Sequence, residues 1–319
     1  KEFFKTKTTR ALQFRKRHVS ETNAFRLISS EADDLPGLIV DLYGEILVVQ
    51  FLTLGMERLR DIVLTALEEA VPSRGIFERS DSSSRAIEGL PERVGWIQKN
   101  CGEETVVHEK DVQYVLKFGE GHKTGLYLDQ RENRLLLRGL PVKGKALDAF
   151  CYEGGFGLHL AKEGWRVTGV DIQPETIRRA EEHRDKNGLS KDVLSFKAAN
   201  VFDELKELDS KNAKYDLIIL DPPSFVKKKA ALEGALAGYK EILLRSMKLL
   251  NEEGFLAVFS CSYHVDENLL MQSSLAAAWD VRKKLRLLRF MKQAADHPIN
   301  PFIPETYYLK GFLFEVSSL

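Results

Sequence analysis

"KALDAFCYEGGFG", Lys145–Gly157, is a short apolar strand that carries one carboxylate, runs into a glycine turn and opens a helix. Four more apolar runs follow it: "RVTGVDI" (Arg166–Ile172), "VLSFKAAN" (Val193–Asn200), "YDLIILDPP" (Tyr215–Pro223) and "GFLAVFSCS" (Gly254–Ser262). Helical segments alternate with them: "GFGLHLAKEG", "PETIRRAEEHRDKNG", "YKEILLRSMKLLNEEG" and "DENLLMQSSLAAAW". Strand and helix alternating at this spacing build βαβ units, hence a mostly parallel sheet with helices on both faces. The tail "ETYYLKGFLFEV" adds a last, antiparallel strand, with "LRLLRF" (Leu285–Phe290) as its partner. The fold class is therefore α/β, a doubly wound Rossmann-like domain over 133–319.

Upstream the pattern differs. "AFRLISSEADDLPGLIVDLYGEILVVQFL" reads as strands broken by a turn, and "MERLRDIVLTALEEAV" has helical spacing ending before Pro72. "RGIFERSD" is a further strand, and "ETVVHEKDVQYVLKFGEG" alternates as a hairpin does. Residues 21–118 thus form a small α+β domain. Residues 1–20 are basic with little periodicity and are expected to be a linker or a helix, and 119–132 a connecting hairpin.

The bulk numbers set the class. The 319 residues are 44% hydrophobic and 29% charged, with a formal net charge of zero, ordinary values for a globular protein of about two domains. Zero net charge argues against a basic nucleic-acid coat. Three basic runs stand out locally: Lys5–His18, Val226–Lys229 and Arg282–Lys292. Charge runs are usually solvated faces, so their value depends on whether they surround a site. No apolar run reaches the roughly 18–20 residues that span a bilayer. Cys101, Cys151 and Cys261 lie far apart, without metal-ligand spacing. No metal is expected, and the expected setting is reducing and cytoplasmic.

Doubly wound sheets bind ligands beyond the carboxyl ends of their strands. Gly154, Gly155 and Gly157 let the backbone come close to a ligand, but the spacing is not G-x-G-x-x-G. Asp148, inside the first strand, would repel a pyrophosphate and attract a cation. S-adenosylmethionine (SAM) carries a sulfonium and an ammonium and no phosphate, so it is the expected cofactor. Asp171 can accept the ribose hydroxyls, or it can simply cap the helix before Pro174. Asn200 is placed to reach the adenine amino group. Phe150, Tyr152, Ile172 and Val201 flank these positions and complete the candidate cofactor set, with Asp221.

"LDPPSF" presents Asp221 at the end of the fourth strand, where two prolines stop the ladder. Alone, such a corner can be structural. Together with the preceding strands it matches the substrate loop of methyltransferases acting on planar groups. Pro222, Pro223, Phe225, Lys227 and Lys228 are its candidate RNA contacts. The fifth strand ends at Cys261, which is either a small buried hydrophobe or a nucleophile beside Asp221. The second reading has a chemical reason: pyrimidine C5 is a weak nucleophile until a thiolate adds to C6. It requires Cys261 to be open to solvent and within about a nanometre of Asp221. Cys151 is read as packing.

These residues resemble a known family, the bacterial RlmI-like 23S ribosomal RNA 5-methylcytosine methyltransferases. The resemblance rests on "EADDLPGLIVDLYG", "FERSD", "GEGHKTGLYLDQRENR", "LDAFCYEGGFG", "LDPPSF", "FSCS" and "AADHPINPFIPETYYLKGF". It implies a PUA domain, a central EEHEE domain and a methyltransferase domain, the PUA region here being expected to be absent or reduced to a stub before residue ~20. It implies SAM as cofactor and ribosomal RNA as partner, with a homodimer possible and no membrane. It also implies that "GHKTGLYLDQR" is a hairpin beside the cofactor, which makes Lys123, Thr124, Asp129, Gln130 and Arg131 candidates, Arg131 toward RNA. The fourth strand's loop has Ser224 rather than a cysteine, so Cys261 acts alone as catalytic nucleophile, with Asp221. The rival readings are a guanine-N7 or uracil-C5 methyltransferase on the same scaffold, and a SAM-binding RNA assembly factor without catalysis.

Overall fold

The structure is a computed structural model and describes residues 1–121, 124–225 and 231–319. The chain divides into two units: Lys1–Glu132 with Ala294–Thr306, and Asn133–Gln293 with Tyr307–Leu319.

The first unit opens with helix α1 (Glu2–His18), the second of the two readings open for this basic stretch. Its positions 4, 8, 11, 12 and 15 fall on one helical stripe and are buried. That stripe hides Thr8 and Arg15 as well as Phe4, Ala11 and Leu12, which is why the apolar periodicity is faint. Strands β1 (Ala24–Ser29), β2 (Leu38–Tyr43) and β3 (Ile46–Phe51) follow, then helices α2 (Leu54–Arg58) and α3 (Arg60–Ala70). Strand β4 (Gly75–Ser80), the short helix α4 (Ser84–Ile87) and strand β5 (Arg93–Gln98) come next. The five strands form one sheet in chain order. Only β3 and β4 run parallel, because α2 and α3 carry the chain back between them. Val40, Leu47, Val49 and Phe51 pack against Val63, Ala66 and Leu67 of α3 and Leu12 of α1. Each of these valine, leucine and phenylalanine side chains contributes about 1.5–3 kcal/mol on burial. Strands β6 (Glu104–Glu109) and β7 (Val112–Lys117) make the separate hairpin their alternation predicts.

A buried ion-pair network ties the late segment Ala294–Thr306 into this unit. Asp296 is fully buried and accepts from Arg131 at 3.1 and 3.0 Å and from the Arg26 amide at 2.9 Å. Arg15 donates to Asp33 at 2.7 Å and to the Asp296 carbonyl at 2.8 Å. Burial works to raise the Asp296 carboxyl, but the neighbouring His297 and Arg131 prevail and hold it well below the usual carboxylate range.

The second unit contains α5 (Arg131–Arg138, from its third residue), β8 (Lys145–Ala149), α6 (Gly155–Lys162), β9 (Arg166–Asp171), α7 (Pro174–Lys186) and β10 (Leu194–Ala198). It continues with α8 (Val201–Ser210), β11 (Tyr215–Leu220), α9 (Leu232–Leu249), β12 (Leu250–Ser260), α10 (Glu267–Asp280), β13 (Lys283–Lys292) and β14 (Lys310–Ser318). The sheet order is β10-β9-β8-β11-β12-β14-β13. Strands β8 to β12 are parallel, and β14 is antiparallel to both β12 and β13. This is the doubly wound α/β sheet with antiparallel last strands that the sequence implies. Order reverses between β8 and β11, the switch point at which such sheets bind ligands. Among the described residues no helix is long and apolar enough to cross a membrane.

Candidate active site

The strand register lines three carboxylates along the switch point. Asp148 sits opposite Gly169 on β9 and Ile219 on β11. Asp171 ends β9, and Asp221 follows Leu220, which pairs with Ala149. Asp148 is fully buried, and one oxygen accepts from the Gly157 amide at 3.0 Å. Its other oxygen, Oδ1, has no hydrogen-bond partner among the described residues. Burial raises its pKa to about 7; the charges of Asp221 and Asp171 add to the rise, while the Gly157 amide and Arg134 oppose it.

The loop after β8 is strained. Phe150 and Tyr152 hold left-handed backbone at φ 65° and 50°, and Gly154 lies at φ 80°. Bulky residues avoid this region, and such strain persists where the surroundings over-determine it, which is common at ligand sites. Asp171 is one determinant: its Oδ2 accepts from the Tyr152 amide at 3.0 Å and its Oδ1 from the Gln173 amide at 3.1 Å. Asp171 thus braces the glycine loop and holds the amide of Gln173, the N-cap residue of α7. Phe196 is another, since a Cβ on Gly154 would lie 2.6 Å from its ring. A Cβ on Gly155 would meet Arg134 at 3.2 Å. Gly154 is thus required by its backbone and by a neighbouring side chain, not only by approach to a ligand.

On the other side of the switch point, the loops after β11 and β12 touch. Ser224 Oγ and Ser262 Oγ are 3.0 Å apart. Leu220 pairs with Val258. With strands about 4.8 Å apart, that register brings Asp221 and Cys261, which follow the two strand ends, to one edge of the sheet. Cys261 is exposed and in no disulfide, Cys151 is buried, and Cys101 is half-buried. Burial pushes the Cys151 thiol well up, as expected of a packing cysteine. Beneath Cys261, Tyr239 of α9 is fully buried, and burial pushes its phenol well up against the Ser260 and Ser262 hydroxyls, while the charges of Cys261 and Asp221 reinforce the rise.

The relatives carry the same sequence pattern over nearly the whole chain. Ribosomal RNA large subunit methyltransferase I of Shewanella frigidimarina is 37% identical over 99% of this chain and 80% of its own length. Its counterpart in Tolumonas auensis is 38% identical over 98% and 80%. The chain belongs to the ribosomal RNA large subunit methyltransferase I family. A family model described as a methyltransferase domain also matches residues 142–299. A SAM-dependent methyltransferase from Streptococcus mutans has a TM-score of 0.85 at 22% identity, covering 98% of this chain and 81% of that one. A methyltransferase structure complexed with SAH reaches 0.86, also at 22% and with the same coverage. These two show the fold, that of SAM-dependent methyltransferases.

The residues of this methyltransferase fit SAM as its cofactor. The orphaned Oδ1 of Asp148, deep among carboxylates, suits a cationic ligand. Ile172, 62% exposed beside Asp171, leaves an apolar face open to solvent. Other candidates fall elsewhere. Asn200 caps α8, its side chain accepting from the Phe202 amide at 2.9 Å, and Val201 is a core side chain. Phe225 is half-buried and packs on Tyr239 with centroids 5.0 Å apart, and on Phe150 and Phe202. Pro222 is buried and Pro223 exposed.

In the first unit, Arg131 is not an RNA contact: it is 2% exposed and bound to Asp296. Thr124 is buried and hydrogen-bonded to Asp41 and Tyr43. Asp129 and Gln130 are buried in a 3-10 turn, Leu128–Gln130, so the described part of 119–132 holds no hairpin. Lys123, Lys227 and Lys228 lie outside the described residues.

Sequence reasoning passes over three residues here. Arg134 faces Gly155 and opposes the charge of Asp148. Ser262 joins the two substrate-side loops. Lys310 opens β14 opposite Ser260 and donates to the Ser262 carbonyl at 3.3 Å. Its signal is a single charge between apolar runs in "YYLKGFLF".

Proposed function

We propose that this chain methylates C5 of a cytosine in large-subunit ribosomal RNA, through a bond from Cys261 Sγ to C6. The names of its relatives support ribosomal RNA as substrate. The thiol chemistry rests on one observation: Cys261 is exposed at the mouth of β12. Free cysteine is among the most buried residue types, so an open thiol at the switch-point edge, beside Asp221, favours a reacting group over a packing one.

Asp148, Asp171, Ile172 and the strained loop Phe150–Gly154 would hold SAM. Bound there, SAM supplies an electrophilic methyl group on a sulfonium. Cys261, as thiolate, adds to C6, and the electron pair of the C5–C6 double bond moves toward C5. Asp221 accepts a hydrogen bond from the cytosine amino edge and fixes the ring. Once C5 carries the methyl group, its proton leaves to a base, the C6–S bond breaks, and the thiolate returns. Dividing the reaction this way replaces one hard step with easier ones. RNA is the proposed partner, and none of these residues requires a second copy of the chain.

The test is nucleoside mass spectrometry of a ribosomal RNA fragment incubated with SAM and either wild type or Cys261→Ala. Wild type should yield 5-methylcytidine and the variant none, with SAM binding retained. A variant that still methylates, or a wild-type product other than 5-methylcytidine, overturns the reading.

A further inference from the structure

A nucleophilic cysteine has to be ionised, and an exposed strand mouth does not do that by itself. Lys310 is a cation that the β12–β14 ladder sets beside it. Its Cα pairs with Ser260, the residue before Cys261, across the β12–β14 ladder. Its Nζ donates to the carbonyl of Ser262, the residue after Cys261, at 3.3 Å. The ammonium therefore straddles the peptide segment that carries the thiol.

Two features distinguish it from a surface lysine. Lys310 is only 5% exposed, yet among the described residues no carboxylate lies within ion-pair distance of it. Buried charges are normally paired, because an unpaired one is costly. Its surroundings are the ring of Tyr307, 5.8 Å from the ammonium, and the charges of Cys261, Asp266 and Glu267. Glu267 is itself engaged by the Tyr307 hydroxyl. Burial pushes the Lys310 ammonium down, and the Cys261 charge is the first of those that pull it back up. Such coupling is reciprocal: a thiolate that stabilises the ammonium is stabilised by it.

We propose that Lys310 is the positioning residue that holds Cys261 as a thiolate. The proposal rests on the nucleophilic reading of Cys261. The thiol gives its proton to water, and Lys310 keeps all of its own. The sulfur retains the electron pair that forms the bond to C6, and recovers it when that bond breaks. The cost of keeping an unpaired buried ammonium is offset by the anion it creates.

The experiment measures iodoacetamide alkylation of Cys261 in the full chain, by peptide mass spectrometry, at pH 7 and pH 10. Lys310→Met should lower the pH 7 rate about tenfold, the loss of thiolate expected for one unit of pKa, and leave the pH 10 rate near wild type. Lys310→Arg should restore most of the pH 7 rate. A packing role alone would not move the rate in this pH-dependent way. Equal rates for wild type and Lys310→Met at pH 7 overturn the proposal. Wild type gives a second test that depends on no variant folding. Its Cys261 should react at pH 7 about tenfold faster than the thiol of a synthetic peptide spanning 256–266, and equal rates overturn the proposal. Failure of the nucleophilic reading is distinct: it shows as methyl transfer by Cys261→Ala, whatever the alkylation rates.

Discussion

Asp148→Asn keeps the shape of the side chain at the switch point and removes its charge. In the folded chain the carboxyl titrates at about 7, against an ordinary value of 3.8, because it is fully buried and faces Asp221 and Asp171. The folded state therefore holds a proton that the unfolded chain has lost. Stability from this group is fully present below pH 3.8, falls as pH rises, and is gone above about 7. That difference corresponds to about 4 kcal/mol, at about 1.36 kcal/mol per pH unit. Asp148→Asn should thus be the more stable protein at pH 8 in the absence of cofactor, with that advantage shrinking toward pH 5. A bound cation reverses the balance by favouring the ionised carboxyl. Wild type must lose a proton to bind SAM, so its affinity should be about tenfold weaker at pH 6 than at pH 8, while Asp148→Asn binds more weakly and without that pH dependence. Titration calorimetry in two buffers of different ionisation enthalpy reads both the affinity and the protons released. Equal wild-type affinities at pH 6 and 8 with no proton release would refute the electrostatic role of Asp148.

Asp171→Ala removes the acceptor for the Tyr152 and Gln173 amides, and should cost about 1–3 kcal/mol of SAM binding, measured by the same calorimetry; unchanged affinity contradicts its place in the site. Gly154→Ala forces a side chain into φ 80° and against Phe196, so its melting temperature should fall by the equivalent of at least about 1–2 kcal/mol. Arg131→Met leaves the buried Asp296 without its bidentate partner and should destabilise the protein by about 3–5 kcal/mol in urea. If Arg131 instead served RNA, stability would hold and only RNA binding would drop.

The second unit is largely legible in the sequence because its signal is local. Apolar runs of strand length alternate with helical stripes, and the glycine turn, Asp171 and the Asp-Pro-Pro corner each sit at a strand end. Helix α8 escapes that reading: "VFDELKELDS" is short and half charged, and its start is marked only by the Asn200 cap, a side chain equally suited to meeting adenine. Helix α1 is left undecided against a linker because Thr8 and Arg15 occupy its buried stripe. The first unit's late segment is illegible for a different reason. Asp296 pairs with Arg131 across 165 positions and its carbonyl with Arg15 across 281, and no periodicity reports a pairing so distant. The same distance conceals Lys310, whose proximity to Cys261 is a product of the β12–β14 ladder and not of any motif.

The central claim is that Cys261 forms a bond to the pyrimidine. The direct measurement incubates the chain and SAM with an RNA fragment carrying 5-fluorocytidine at the target position, then digests it for mass spectrometry. Fluorine cannot leave C5 as a proton does, so a methylated, fluorinated nucleotide should remain attached to the peptide that contains Cys261. An enzyme that is active on the ordinary RNA and leaves that peptide unmodified would contradict the account.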